Sequence, residues 1–473
     1  MAERRFISPI LEKIRREEAA EALDLARDIG VSYVKEVDKR RVFPERAAIT
    51  NLAFFKEPLP DGPAGTATIL EQLAVYGNPA TVAQSGGRYF GFVCGGILPA
   101  ALGAKWVASA WDQNAAMYAM SPAVAVIEEV CEKWIVELLG LPAGTAAGLV
   151  SGSATATLAG LAAGRNHLLR RLGYDAGRQG LFGAPEIKVI AGADAHSTVY
   201  KALSISGLGS ERLVKVPADE QGRIRADALP EMDGRTLLIL QAGNVNSGAF
   251  DAFGPICRRA KAAGAWVHID GAFGLWAAAN PRMRALAAGI ELADSWSVDA
   301  HKTLNAPYDN GIILCRDREA LTGAMRMSGA YILNSGERDG MALTLDMSRR
   351  ARAVELWAAL KSLGKAGVAD LVEELHRKAV YFAGLLADGG LEVLNDVVYN
   401  QVLVCDADDT ATEKLLRTVQ ERGVCWLGGS RWAGRAVMRI SVCSYRTTYE
   451  DIEISAREIL RCRREPGQVS RRR

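Results

Sequence analysis

A lysine and an aspartate, each closing a strand-like run, are the residues of this chain best suited to chemistry. Asp270 ends the apolar segment Ala265-Trp266-Val267-His268-Ile269 and precedes the small-residue turn Gly271-Ala272. Lys302, with His301 before it, follows 32 positions later. Both side chains would lie at carboxyl ends of strands, the edge where α/β folds bind ligands. An amine can hold an aldehyde as a Schiff base, and a carboxylate can keep a heteroaromatic nitrogen protonated so that its ring accepts electrons. Pyridoxal 5'-phosphate needs both. Taken singly, Asp270 reads better as a surface turn residue and Lys302 as a solvated lysine; their joint placement changes the balance.

Other segments suit the same small molecule. Gly152-Ser153-Ala154-Thr155-Ala156-Thr157 reads as a hydroxyl-rich turn entering a helix, where free N–H groups and the helix dipole favour a phosphate, although Ser and Thr also cap helices generally. His196 follows the run ending at Ala191, so its imidazole could stack on a pyridine ring, with a helix-capping histidine as the alternative. Asn246, in Gly243-Asn244-Val245-Asn246-Ser247-Gly248, offers an amide on the same edge or is simply part of a turn. His301 could serve phosphate or substrate. His268, inside its strand, reads as a packing residue.

These residues need a scaffold, and the chain beyond about residue 145 provides the pattern for one. Short apolar runs (188–191, 212–216, 236–240, 266–269, 295–298 and 311–315) alternate with helical segments, which predicts a mainly parallel sheet with helices on both faces. The segment from Leu141 to Gly164 is uncharged but holds five hydroxyl residues; it reads as a loop followed by a buried helix rather than a membrane span. After Leu363-Gly364 the pattern becomes a smaller α+β unit, with a helix over 371–386 and strands near 391–394, 401–405 and 437–442. The expected division is an N-terminal helical segment over 1–65, a large cofactor-binding domain over 66–360, a small domain over 361–460 and a basic tail over 461–473.

Bulk composition excludes several classes. The 473 residues carry 57 basic and 55 acidic side chains for a net charge of +2, and 49% are hydrophobic. That is an ordinary globular balance without broad attraction to nucleic acid or anionic membranes. The eight cysteines form no CxxC pair, so no metal site or disulfide framework is expected, and a reducing, cytoplasmic setting fits. The N-terminus lacks the apolar core of a signal peptide.

The motifs His268-Ile269-Asp270-Gly271-Ala272-Phe273 and Ser295-Trp296-Ser297-Val298-Asp299-Ala300-His301-Lys302 resemble the group II pyridoxal phosphate-dependent amino acid decarboxylases of fold type I. Arg88-Tyr89-Phe90-Gly91-Phe92 and Gly152-Ser153-Ala154-Thr155 add to the likeness, which runs from about Phe54 to Ile459. The resemblance implies a seven-stranded sheet in the large domain and a homodimer with its active site at the interface, residues 1–65 packing on the partner. It implies that Lys302 carries the cofactor, Asp270 pairs with the pyridine nitrogen and His196 stacks on the ring. Ser153, Ala154, Thr155 and His301 would serve the phosphate, while Ala272 and Asn246 would lie beside the ring. Tyr89, Phe90 and Phe92 would help line the substrate pocket.

The implied reaction is decarboxylation of an L-amino acid through an external aldimine and a quinonoid. Two departures stand out. Asp299-Ala300 replaces the Asn-Pro usual before the His-Lys pair, and residues 334–350 lack the tyrosine that in relatives returns a proton to carbon; Tyr331 lies just before them. Aldehyde synthase and aminotransferase chemistry therefore stay open, as does a non-catalytic pyridoxal phosphate-binding protein. Arg88 or Arg349 could hold a substrate carboxylate.

Overall fold

The computed structural model describes residues 8–17, 19–325, 327 and 336–464. Its strands in chain order are β1 (Tyr89–Phe90), β2 (Ala146–Val150), β3 (Lys188–Gly192), β4 (Val214–Val216), β5 (Thr236–Gln241), β6 (Trp266–Asp270), β7 (Ser295–Asp299), β8 (Gly311–Cys315), β9 (Glu392–Val393), β10 (Gln401–Cys405), β11 (Trp426–Trp432) and β12 (Arg435–Ser441). Seven of them form one sheet in the order β2-β8-β7-β6-β5-β3-β4. Strand β8 runs antiparallel to both neighbours, and every other pair is parallel. Every residue of β5, β6, β7 and β8 is buried. Burial on both faces explains why these strands read as nearly continuous apolar runs instead of alternating ones.

The loop expected over the first part of 141–164 is instead largely strand. Strand β2 occupies Ala146–Val150 at the sheet edge, followed by the helix Ser153–Arg171. Ala-Ala-Gly-Leu-Val has little intrinsic strand preference; its conformation comes from pairing with β8, register Ala146 to Cys315. The helix lies close against the sheet because Gly160 has no side chain. A Cβ there would stand 2.7 Å from the His268 ring.

His268 is fully buried, its Nδ1 lies 2.8 Å from Ser295 Oγ, and its Nε2 has no hydrogen-bond partner. Burial pushes its pKa down to about 3. An imidazole held neutral in the fold but free to charge when unfolded makes the unfolded chain the better proton binder between about pH 3 and 6.5, so stability drains away as pH falls through that window. The difference in unfolding free energy between the wild type and His268→Leu should therefore shift by about 2 kcal/mol in the variant's favour from pH 7 to pH 5. Urea denaturation at the two pH values measures it, and a constant difference would show that His268 does not titrate as described.

The remaining strands form a second sheet in the order β1-β11-β12-β10-β9. Its β1 comes from the glycine-rich segment near residue 90 and pairs in parallel with β11, Tyr89 opposite Trp426. Thr447 Oγ1 bonds the Gly87 carbonyl across 360 positions and fixes the same junction. The helix Arg352–Asp388 runs past both sheets' helical layers, with a break at Gly364, where φ is +61°. The N-terminal helices Pro9–Arg16 and Ala19–Glu36 bury none of their described side chains. No helix among the described residues is long and apolar enough to cross a membrane.

Candidate active site

Adjacent parallel strands deliver Asp270 and Lys302 to one edge of the large sheet: Asp270 ends β6, Ser297 pairs with it from β7, and Lys302 follows β7 by three residues. Asp270 is buried. Its Oδ1 accepts from the Ala272 N–H at 3.2 Å and from the Ser297 hydroxyl at 3.3 Å. Since Ser297 spends its proton on Asp270, Thr157 is the donor in the 3.0 Å contact between their hydroxyls. Burial raises the Asp270 carboxyl above the usual range, with His196 and Lys302 pulling the other way.

His196 is a helix cap, one of the two roles its sequence position allows. Its Nδ1 caps the helix Ser197–Ile205 by accepting from the Thr198 N–H at 3.2 Å, while its ring shares the electrostatic environment of Asp270, Lys302 and Arg439. Burial lowers its pKa, opposed by Asp270. With Nδ1 accepting, the neutral ring carries its proton on Nε2.

Asp299, at the end of β7, ties the lysine to the helix Ser153–Arg171. Its Oδ1 accepts from the Ser153 N–H at 2.6 Å, and its Oδ2 lies 3.2 Å from Lys302 Nζ and 3.7 Å from His301 Nε2. The donor expected of Ser153 is thus committed within the chain. The N–H groups of Ala154 and Thr155 have no acceptor inside their own helix, and both residues reach the surface. His301 accepts from the Asn310 N–H at 3.1 Å through Nδ1, and its ring lies 4.3 Å from that of Tyr308. Burial lowers its pKa.

The backbone at Gly95 presses on this loop. A Cβ at Gly95 would sit 2.1 Å from the Lys302 carbonyl oxygen, backbone against backbone, so no rotamer change relieves it. Gly95→Ala should displace Lys302: cofactor retention on gel filtration should fall, with a stability loss of about 1–3 kcal/mol. Full retention at unchanged stability would contradict that packing.

From the second sheet, β12 contributes Arg439, which the sequence motifs do not single out. Its Nη1 bonds the Val245 carbonyl at 3.2 Å, its Nε is buried without a partner, and it shares its surroundings with Tyr89, Cys94 and His196. An arginine inside Val437-Met438-Arg439-Ile440, an otherwise apolar strand, was the available signal. Arg349 instead pairs with Glu128 at 2.7 Å in a buried contact, and Arg88 lies 3.8 Å from Asp451. Asn246 accepts from the Ser430 hydroxyl at 2.8 Å. Of the three aromatics, Tyr89 stacks on Trp426 near Cys94, and Phe92 is exposed beside the same indole. Phe90 points the opposite way, fully buried edge-on to Phe382, and the structure does not bring it to the site. Tyr331 and Asn334 lie outside the described residues.

A family model described as the pyridoxal-dependent decarboxylase conserved domain matches residues 81–405. The chain belongs to the pyridoxal-dependent decarboxylases. It is 30% identical over 381 residues to the aromatic-L-amino-acid decarboxylase of Sus scrofa, covering 72% of this chain and 76% of that one. The decarboxylase shares its fold with Oryza sativa TDC, solved with PLP and tryptamine, at a TM-score of 0.86 and 23% identity over 98% of this chain and 99% of the other. It shares it also with Rhodiola rosea 4-hydroxyphenylacetaldehyde synthase, at 0.82 and 19% over 95% and 98%. The enzyme is therefore a lyase whose cofactor is pyridoxal phosphate. The residues fit that group: one helix N-terminus has open N–H donors, a buried carboxylate lies one strand from the amine, and an imidazole shares their field.

Proposed function

We propose that this enzyme decarboxylates an L-amino acid, with Lys302 as the amine that holds the cofactor aldehyde. The observation that carries the reading is the convergence of Lys302, Asp270 and His196 on the edge where the helix Ser153–Arg171 begins. Bound pyridoxal phosphate supplies an electron-accepting ring that takes up the charge left at the substrate carbon when carbon dioxide departs.

The chain's own residues prepare that chemistry. Asp270, fixed by Ala272 and Ser297, holds a proton on the ring nitrogen; an anion in a water-poor site is worth far more there than in solvent. His196 and Ala272 would hold the ring between them, with Asn246 beside it. The N–H groups of Ala154 and Thr155, with His301 and the Ser153 turn beside them, would hold the phosphate. Arg439 orients the substrate carboxylate, a role that its half-buried guanidinium and free Nε suit. Tyr89 and Phe92 line the substrate's approach, and an aromatic side chain suits them.

The active unit is a homodimer in the cytoplasm, with the site at its interface and no membrane or nucleic acid partner. Ile49, Phe55, Leu73, Val75, Trp106, Val107 and Trp111 leave large apolar surfaces exposed on the single chain, which a second copy would cover. Light scattering tests this.

A second reading keeps its place because of Arg439: a guanidinium that shares the surroundings of His196 and Cys94 with Lys302 could grip an α-carboxylate, as an aminotransferase needs. The absence of tyrosine from 334–350 likewise leaves the aldehyde outcome open. One experiment separates them. Each L-amino acid is added to the purified enzyme while carbon dioxide, oxygen, amine and aldehyde are followed together. Carbon dioxide with amine supports decarboxylation; oxygen uptake with aldehyde replaces it by aldehyde synthesis; cofactor regeneration by a keto acid without carbon dioxide replaces it by transamination.

A further inference from the structure

We propose that Asp299 is an internal anion that holds the cradle together and competes with the cofactor's phosphate for it, which presupposes the decarboxylase reading of the site. Asp299 is 1% exposed, and its backbone is pinned by Ala272, which accepts its N–H at 2.9 Å, and by Trp276, whose indole donates to its carbonyl at 3.0 Å. The main chain that carries the carboxylate is therefore fixed in the site. Its two oxygens already engage the Ser153 N–H, the Lys302 amine and the edge of His301. Those are the groups at which the phosphate end and the aldehyde end of the cofactor are received.

Asp299 gives Lys302 a carboxylate partner and the helix N-terminus an anion, which ties the two sides of the cradle together. On binding, the phosphate brings a second negative charge to the same helix terminus, where Ala154 and Thr155 offer the remaining donors. Like charges in a partly water-excluded site repel more strongly than in solvent, so Asp299 weakens the grip on the phosphate. An asparagine in its place keeps an oxygen to accept from Ser153 and removes the charge.

The test uses the full-length chain freed of cofactor with a carbonyl reagent, titrated while tryptophan fluorescence is followed. Asp299→Asn should bind pyridoxal 5'-phosphate about tenfold more tightly than the wild type. Inorganic phosphate should gain similarly, and pyridoxal, which lacks the phosphate, should not. The empty variant should also melt at a lower temperature than the empty wild type. Equal or weaker binding of pyridoxal 5'-phosphate by the variant, or an equal gain for pyridoxal, overturns the proposal. If the asparagine variant is recovered unfolded, Asp299→Ser removes the charge with less volume; in the same titration, tighter binding supports the proposal and equal or weaker binding overturns it. Failure of the wild type itself to bind pyridoxal 5'-phosphate would sink the functional reading instead.

Discussion

Lys302→Ala is expected to remove the absorbance band of covalently held cofactor and to lower turnover by about four orders of magnitude or more, on the scale of other losses of a covalent-catalysis residue. The fold should survive. Lys302 lies in a loop after β7, and truncating it strips one cation from Asp299 while leaving the Ser153 N–H in place. Far-ultraviolet circular dichroism of the variant should overlay that of the wild type. A yellow, covalently loaded Lys302→Ala protein would refute the assignment of the amine, because the cofactor would then be held by another lysine.

The second large effect is expected from Asp270→Asn. The amide can still accept from Ala272 and Ser297 but carries no charge to hold a proton on the ring nitrogen. Removing one such preorganised electrostatic partner costs about 10²–10³ in kcat. Lys302 remains, so the cofactor should still load covalently, and KM should change far less than kcat. Unchanged kcat would show that the carboxylate does not act on the ring. A loss confined to cofactor binding would make Asp270 a structural residue.

The parts of this molecule that are legible from sequence are those whose signal is local. Strands β5 to β8 are buried on both faces, so their apolar runs announce themselves, and Asp270 and Lys302 stand at the ends of such runs. Strands β2 and β11 escape for different reasons: Ala146–Val150 becomes a strand only by pairing with the distant β8, while Trp426–Trp432 carries two glycines and no clean alternation, and pairs with its hairpin neighbour β12 and with the distant β1. The arginines make the same point. Arg88 and Arg349 look available until Asp451 and Glu128, far away in sequence, neutralise them. Arg439 carries no local motif, and only the packing of the second sheet brings it beside His196. Tyr89 and Phe90 divide by the two-residue period of a strand, one beside Cys94 and the other into the core. Asp299 registers in sequence as a departure from the usual asparagine; His301 and Lys302 lie two and three positions on, and only the Ser153 N–H is brought to it by the packing of a distant helix.

The seam where β1 lies along β11 has a bearing on biosynthesis. The ribosome emits Tyr89 and its neighbours long before Trp426 and Thr447, yet Gly87 and Thr447 are bonded across 360 positions. Through most of elongation the glycine-rich segment has no strand to join, and the wall of the substrate approach stays unbuilt. Such long-range closure slows folding and exposes apolar chain to aggregation. A prematurely terminated product that stops short of β11 would therefore be inert, however complete its lysine-bearing sheet.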